Sequence, residues 1–229
     1  MTAPPSPKLT QVVKESFTTA ETGNPKGNSP HAALRIVGDA AILDRPKVAL
    51  FCSIKCPGKL ILDTYDLAKR FREEGVTVIS GFHSPMEQEC LRILLRSLHP
   101  VIWCLARGLY RQIPSAPVDC RPAVTEGRLV MVTPFPDTVR HITAKTATIR
   151  NRLVADHATA VIVAHAAPGS KMEALCRDIL ATGKLLYTFD HPANAALIQA
   201  GARPITPETD WSHILKCEDP SRGPHSESH

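Results

Sequence analysis

The stretch KVALFCSIKCPGKLILDTYDLAKRFREEGVTVIS, residues 47–80, contains one complete strand–helix–strand unit. The apolar run at 47–53 predicts a strand, and residues 60–75 have the apolar spacing of an amphipathic helix that ends at Gly75. The run at 76–80 predicts a second strand. Because both strands are almost continuously apolar, they are expected to be buried on both faces of a parallel sheet.

The same alternation of strands and helices continues to residue 201. Further strands are predicted at 101–106, 128–132, 159–166 and 184–189, and further helices at 84–98, 138–157, 170–183 and 192–201. This pattern predicts an α/β fold with a doubly wound, mostly parallel, Rossmann-like sheet.

The composition of the two ends sets the expected domain limits. Residues 1–33 contain five prolines with scattered Gly, Ser, Thr and Asn, which is typical of a flexible leader. Residues 34–206 are predicted to form the Rossmann-like domain, and residues 207–229 a C-terminal segment that is largely a disordered tail.

Overall composition excludes several classes of protein. At 43% hydrophobic residues the chain can bury a core, yet it has no apolar run long enough for a membrane helix. The N-terminus lacks the layout of a secretory signal, so a cytoplasmic location is the default expectation. Cys52 and Cys56 are four residues apart, but no second pair completes a zinc site, and we expect neither a metal nor a cofactor.

The chain is modestly basic, with a formal net charge of +5, and its cations are unevenly distributed. Residues 45–62, 90–118 and 138–155 contain no acid, and each of these stretches carries four Lys or Arg residues. This clustering matters for function only if the fold brings the three stretches to one edge.

A doubly wound sheet provides such an edge, because ligands bind beyond the carboxyl ends of its strands. The loops expected there carry cationic, small hydroxyl and glycine residues, namely Ser53, Lys55, Lys59, Ser80, Gly81, Arg107, Gly108, Arg111, Gly169, Ser170 and Lys171. Such groups suit a phosphate ligand. The dinucleotide fingerprint G-x-G-x-x-G, the Walker A loop and the G-x-S-x-G nucleophile motif are all absent.

Arg150, Asn151 and Arg152 lie about two helical turns before the strand predicted at 159–166. A guanidinium group matches phosphate oxygens with two parallel hydrogen bonds. Because adjacent residues point to different sides of a helix, Arg150 and Arg152 cannot face the same way. One is expected to reach the ligand while the other pairs with a neighbouring acid or carbonyl. We expect Arg150 to contact the ligand and Arg152 to contribute more to stability.

The segment TIRNRLVADHATAVIVAHA, residues 148–166, resembles the R-N-R-I-I-A-G-L-S-x-x-V-V-V-V-E-A signature of the DNA-processing protein A (DprA, or Smf) family. Five further blocks resemble family motifs in the same order: LRIVGDAAIL, VALFCSIK, GVTVISGF with MEQECLRILL, VIWCLARGLYRQIP and NAALIQAGA. The resemblance spans roughly residues 34–202. Departures from the family pattern fall at Cys52, Ile54, Glu87, Leu91 and His165, where the family has Gly, Arg, Asp, His and Glu.

The resemblance implies binding of single-stranded DNA in a basic pocket, transfer of that strand to a RecA-type recombinase during DNA uptake, and a homodimer. The pocket residues expected on this basis are Ser53, Lys55, Ser80, Gly81, Arg107, Arg150, Asn151, Arg152, Gly169, Ser170 and Lys171. No catalytic residue is implied.

Two other functions stay open at this point. Related Rossmann-like proteins sense nucleotides without chemistry, and others are phosphoribohydrolases with a P-G-G-x-G-T-x-x-E motif. The segment PGSKMEAL, residues 168–175, faintly resembles that motif and would supply Glu173 as the carboxylate. Glu173 also suits the first turn of a helix, where the dipole favours an acid.

Overall fold

The computed structural model describes residues 34–109 and 120–216. The predicted leader at 1–33, the end of the predicted tail at 217–229 and Arg111 lie outside the described residues.

Eight strands and seven α-helices make up the described part of the chain. The strands are β1 (Arg35–Val37), β2 (Lys47–Phe51), β3 (Thr77–Ser80), β4 (Val101–Cys104), β5 (Leu129–Thr133), β6 (Ala160–Val163), β7 (Leu186–Phe189) and β8 (Arg203–Ile205). The helices are α1 (Gly58–Glu74), α2 (Pro85–Leu94), α3 (Arg121–Thr125), α4 (Ala144–His157), α5 (Lys171–Ala181), α6 (Ala195–Gln199) and α7 (Trp211–Lys216).

All eight strands form one sheet in the order β1-β5-β4-β3-β2-β6-β7-β8. The edge strand β1 runs antiparallel to β5, and every other pair is parallel. The predicted α/β class with a mostly parallel, Rossmann-like sheet is therefore confirmed.

Both faces of the sheet are covered by helices, as the continuous apolar strands require. Val48 and Leu50 of β2 belong to the core cluster shared with α1 and α2, whereas Ala49 and Phe51 belong to the cluster shared with α4 and α5. Successive side chains of one strand thus supply two separate cores.

The direction of winding reverses at β2. The chain adds β3, β4 and β5 on one side of β2 and then returns to place β6 on its other side. The loops after β2 and β6 consequently diverge over opposite faces and leave a crevice between them at the carboxyl edge.

The folded region extends beyond the predicted limit at residue 206. Trp211 at the start of α7 is fully buried and makes edge-to-face contacts with Phe71 and Tyr187, with ring centroids 5.1 and 5.2 Å away. Arg70 on α1 also donates hydrogen bonds to the carbonyls of Pro207 and Thr209. The structure thus includes one short helix beyond residue 206, which the sequence did not indicate because a single buried aromatic residue carries no periodic signal.

None of the described helices combines the length and the apolar character needed to cross a bilayer.

Candidate functional site

A cavity of about 230 Å³ opens at the carboxyl ends of β3 and β4. Its lining residues are Gly81, Phe82, His83, Gln88, Trp103, Leu105, Ala106, Arg107, Ile142 and Arg150. Two of these residues are arginines and none is an acid. The cavity therefore favours an anionic group.

Arg150 reaches this cavity from α4, where its side chain is almost completely buried. Its Nη1 donates to the carbonyl of Cys104 at 3.3 Å, and its Nε donates to Oδ1 of Asn151 at 2.7 Å. Burial lowers the pKa of Arg150, and the nearby charge of Glu87 opposes that shift. The guanidinium is thus fixed in direction before any ligand arrives.

Gly81 is required for this placement of Arg150. A Cβ atom at position 81 would lie 1.4 Å from Nη1 of Arg150, far closer than two non-bonded atoms can approach. The carbonyl of Gly81 accepts a hydrogen bond from Trp103 Nε1 at 2.9 Å, so the backbone cannot simply retreat. The glycine directly after β3 therefore leaves the space that the arginine side chain occupies.

The next residue, Phe82, has a φ of +42°, a conformation that is uncommon for a residue with a side chain. Its ring is buried and its amide donates to Oγ of Ser80 at 3.3 Å. Ser80 is itself fully buried, and its hydroxyl donates to the carbonyl of Leu50 at 2.7 Å. Ser80 therefore shapes the loop from inside the fold rather than meeting a ligand.

Glu87 connects the cavity to the first loop of the sheet. Its buried carboxylate accepts hydrogen bonds from the amides of His83 and Ser84, which closes the capping box of α2. The same carboxylate accepts from the amide of Cys52 at 3.0 Å, just after β2. Glu87 thus holds the backbone of two loops through hydrogen bonds, and its negative charge favours the charged form of Arg150.

Arg107 is the second cation of the cavity and is half-buried. The loop that carries it is held by Thr133, whose hydroxyl donates to the carbonyls of Leu105 and Arg107. Gly108 approaches Pro136 so closely that a Cβ atom would lie 2.6 Å from that carbonyl oxygen. The loop therefore holds Arg107 beside the cavity.

Ser53 and Lys55 lie after β2, at the crevice. The amide of Ser53 donates to the carbonyl of His165 at 2.8 Å, and its Oγ accepts from the amide of Ala167 at 3.1 Å. Ser53 thereby joins the loops on the two sides of the crevice. Lys55 is exposed, and Lys59 is paired with Asp63 on α1.

The loop after β6 leads into α5 through a tight turn. Gly169 has a φ of +70°, and Ser170 caps α5 by accepting from the amide of Glu173 at 3.2 Å. The carboxylate of Glu173 accepts from the amide of Gly169 and pairs with Arg177. Lys171, the first residue of α5, is exposed. Glu173 is therefore engaged in capping, as the first-turn interpretation of this residue requires.

His165 and Asn194 form a buried pair behind this loop. The two side chains are 3.0 Å apart, between Nδ1 and Oδ1, and the Asn194 amide also donates to the carbonyls of Ala164 and Phe189. Asn194 thus fixes the ends of β6 and β7 together, and its carboxamide oxygen favours a proton on Nδ1 of His165.

The structure divides most of the predicted site residues into two groups and leaves Ser80, Asn151 and Arg152 outside both. Gly81, Arg107 and Arg150 line the cavity, while Ser53, Lys55, Gly169, Ser170 and Lys171 belong to the loops of the crevice. Asn151 holds Arg150 from the same helix. Arg152 is exposed and pairs with Asp178 on α5, so it does not line the cavity.

His83, Gln88 and Ile142 also line the cavity, and no motif in the sequence indicated them. His83 is exposed at the rim, and Ile142 is 46% exposed just before the capping residue of α4. The single clue was the cationic stretch at 138–155, which places Arg140, His141 and Lys145 on this same loop and helix start.

Within the described residues, no group of three or more His, Cys, Asp and Glu side chains is arranged to hold a metal ion.

This chain is similar in sequence and in fold to DNA-processing proteins. The family model described as DNA recombination-mediator protein A matches residues 24–216. Among solved structures, DNA processing protein A from Streptococcus pneumoniae is similar with a TM-score of 0.65 and 20% identity, over 76% of this chain. The match covers 62% of that protein, so this chain corresponds to under two thirds of its length.

A structure of DNA processing protein A from Helicobacter pylori, described for its single-stranded DNA binding mode, is similar with a TM-score of 0.63 and 18% identity. That match covers 95% of this chain and 94% of the other. The molybdenum cofactor binding protein of Rippkaea orientalis shares the fold at a TM-score of 0.50 and 12% identity, over 71% of this chain and 90% of the other. No curated protein gives a significant sequence match.

Proposed function

Because the chain belongs to the DNA recombination-mediator protein A family, we propose that it binds single-stranded DNA along the carboxyl edge of its sheet. The observation that carries this proposal is the convergence of Arg107 and Arg150 on one cavity that no acid lines. Guanidinium groups bind phosphate oxygens in pairs, and a pre-set arginine loses little freedom on binding.

Exposed cations near the cavity make the positive surface larger than the area that a single phosphate would contact. Arg140, His141 and Lys145 are exposed beside the cavity, and Lys55 and Lys171 are exposed at the crevice. A strand that follows this edge would release counterions at each phosphate contact, which makes its affinity strongly dependent on salt.

The residues at the cavity predict that the protein has little preference for particular DNA sequences. Aromatic residues make up 5% of the chain, and Trp103, which lines the cavity, is buried with its indole N–H already bonded. Phosphate contacts fix a strand in place without reading its bases. Binding should therefore depend on strand charge and flexibility rather than on base order.

The wider role that we propose is the one implied by membership of this family. On this basis the protein acts in DNA processing during DNA uptake, delivers the bound strand to a RecA-type recombinase, and works as a homodimer in the cytoplasm. Sedimentation in the presence and absence of the recombinase tests both assemblies, and a lone species of 24.9 kDa would contradict the dimer.

Oligo-dT binding followed by fluorescence anisotropy at several salt concentrations tests the binding itself. We expect Arg107→Ala to weaken binding of all sequences equally and to reduce the salt slope by about 0.7, the value for one phosphate on a single strand. Arg203→Ala is the matched control, because Arg203 is exposed at the start of β8, on the opposite edge of the sheet.

The same assay separates strand binding from nucleotide sensing. If thymidine monophosphate competes as well as the oligonucleotide, and the salt slope is that of a single phosphate, the cavity serves a nucleotide instead. Release of base from that nucleotide would indicate hydrolysis, although the capping contacts of Glu173 argue against that role.

A further inference from the structure

Arg150 is a buried cation that lacks an ionic partner in the part of the chain that the structure describes. The residue is 5% exposed, yet no described carboxylate forms an ion pair with it. Both oxygens of Glu87, whose charge acts on Arg150, accept hydrogen bonds from backbone amides. A buried charge without a counter-ion is costly to the fold. The position therefore suits an anion that comes from outside the chain.

The Arg150 guanidinium has donors left for such an anion. Nε and Nη1 donate to the Asn151 side chain and the Cys104 carbonyl, which leaves Nη2 without an acceptor among the described residues. Nη2 is not one of the described side-chain atoms that are fully buried without a partner, so it is open to the cavity that Arg150 lines. The backbone amides of residues 82–84 are already bonded to other side chains and offer no further donor. Side chains must therefore hold the anion.

The cavity has a buried floor and an exposed rim. Besides Arg150, its buried lining residues are Gly81, Phe82, Trp103, Leu105 and Ala106, and its exposed ones are His83 and Ile142. A phosphate inside a strand is bonded to a sugar on each side, so it would have to draw both sugars towards the buried floor. A terminal phosphate is bonded to one sugar and can enter alone. Access from the rim therefore favours the end of a strand.

The charge of the cavity favours the same group. A phosphate inside a strand carries a single negative charge, whereas a phosphate monoester carries about 1.5 to 2 at pH 7. Arg107 and Arg150 both line the cavity, and none of its lining residues is an acid. Arginine binds phosphate oxygens through short, charge-assisted hydrogen bonds. A monoester therefore matches this cavity better than a diester does.

We propose that the cavity is a binding site for a phosphate monoester, in which Nη2 of Arg150 holds the phosphorylated end of a DNA strand. This inference rests on the proposed function, in which the rest of the strand lies along the carboxyl edge of the sheet. A free mononucleotide carries the same phosphate group but cannot also reach the exposed lysines of the crevice, Lys55 and Lys171. Strands with a terminal phosphate are therefore the preferred ligands, and unphosphorylated strands bind through the edge alone.

Competition against a labelled, hydroxyl-ended oligo-dT tests the preference with the full chain. The competitors are unlabelled oligo-dT strands of one length with a 5′-phosphate, with a 3′-phosphate, or with hydroxyl groups at both ends. We expect one of the phosphorylated strands to compete about tenfold better than the hydroxyl-ended strand, the effect of one additional charge-assisted contact. Equal competition by all three strands would overturn the proposal.

Thymidine monophosphate and inorganic phosphate distinguish a strand end from a free nucleotide. Either one, at saturation, should remove the advantage of the phosphorylated strand and leave binding of the hydroxyl-ended strand nearly unchanged. If thymidine monophosphate displaces every strand and binds as tightly as the phosphorylated one, the cavity holds a monoester but the proposed function fails. If the strands bind without preference and neither small ligand competes, the proposed function stands and this inference fails.

Arg150→Lys tests the donor, because lysine keeps the charge but lacks the planar fork of N–H groups. We expect the advantage of the phosphorylated strand to fall to about twofold in this variant, since the paired phosphate contact is lost. Arg203→Ala, on the opposite edge of the sheet, should keep the full advantage. Melting curves show whether Arg150→Lys is folded, and a full advantage in the folded variant would contradict the role of Arg150.

The pH dependence of the wild-type protein gives a readout that needs no variant. The advantage of the phosphorylated strand should shrink as the pH falls below about 6, because the monoester gains a proton and keeps about one negative charge. The titratable side chains near Arg150, namely His83, Glu87 and Cys104, act on both strands alike. The ratio of the two affinities therefore isolates the terminal phosphate, and a ratio that stays constant from about pH 5 to about pH 8 would count against a bound monoester.

Discussion

At the scale of single residues, burial separates groups that the sequence presents as equivalent. Arg150 and Arg152 are the same residue type, two positions apart on one helix. The structure buries the first against Gly81 and leaves the second exposed in a surface ion pair with Asp178. The sequence correctly indicated that they face different ways, but helical geometry alone could not show which one enters the fold.

We therefore expect the loss of Arg150 to destabilise the protein more than the loss of Arg152, which is the opposite of the sequence-based expectation. Arg150→Ala leaves the Cys104 carbonyl without its donor and Glu87 without a neighbouring cation, and we expect a loss of about 3 kcal/mol in the free energy of unfolding. Arg152→Ala should cost about 0.5 kcal/mol, as is usual for exposed pairs. Urea denaturation measures both, and equal losses would contradict this assignment.

Gly81→Ala should disrupt the cavity through Arg150, because the new methyl group occupies the space of the guanidinium. We expect a loss of about 2 kcal/mol or more in the free energy of unfolding, and weaker oligo-dT binding. Gly58→Ala is the matched control, since no atom lies within 4 Å of its added Cβ and it begins α1. The control should gain up to about 1 kcal/mol.

A double variant identifies the cause of that loss. If the clash with Arg150 is responsible, Gly81→Ala should cost much less in a background of Arg150→Ala than in the wild type. Additive losses in the double variant would show that Gly81 acts through its backbone alone.

At the scale of elements, long periodic segments were predictable and short elements were not. The helices at α1 and α5 match their predicted spans closely because each repeats its apolar face over several turns. Strands β1 and β8 have three residues each, and β8 contains Pro204, which weakens any strand pattern. Both occupy edges of the sheet, where pairing with a distant strand decides their conformation.

The short helix α7 should contribute to stability through one side chain. Trp211→Ala removes a fully buried ring from between Phe71 and Tyr187, and we expect a loss of about 3 kcal/mol in the free energy of unfolding. Ser212→Ala, at the next, exposed position, should change stability by about 0.5 kcal/mol or less. A mild effect of Trp211→Ala in urea denaturation would show that α7 is not part of the cooperative core.

At the scale of the whole molecule, the sheet topology brings together residues that are far apart in the sequence. Residues 81, 107 and 150 come from three loops or helices and meet only because β3 and β4 are parallel neighbours beside α4. The rule that ligands bind beyond the carboxyl ends of parallel strands predicts this convergence from the sequence alone. It could not predict the two separate groups of residues, since that division depends on which loops are joined by the hydrogen bonds of Glu87 and Ser53.

If the whole edge binds a strand, oligo-dT should stabilise the folded protein by an amount that grows with the logarithm of its free concentration. At a free concentration one hundred times the dissociation constant, we expect about 2.7 kcal/mol of added stability, visible as a higher melting temperature. Thymidine monophosphate at the same concentration should stabilise far less, because it offers one phosphate to a surface that spans the cavity and the crevice. The oligonucleotide's effect should fade as salt rises, since each phosphate contact releases counterions. Equal, salt-independent stabilisation by both ligands would assign the edge to a nucleotide and remove the case for a bound strand.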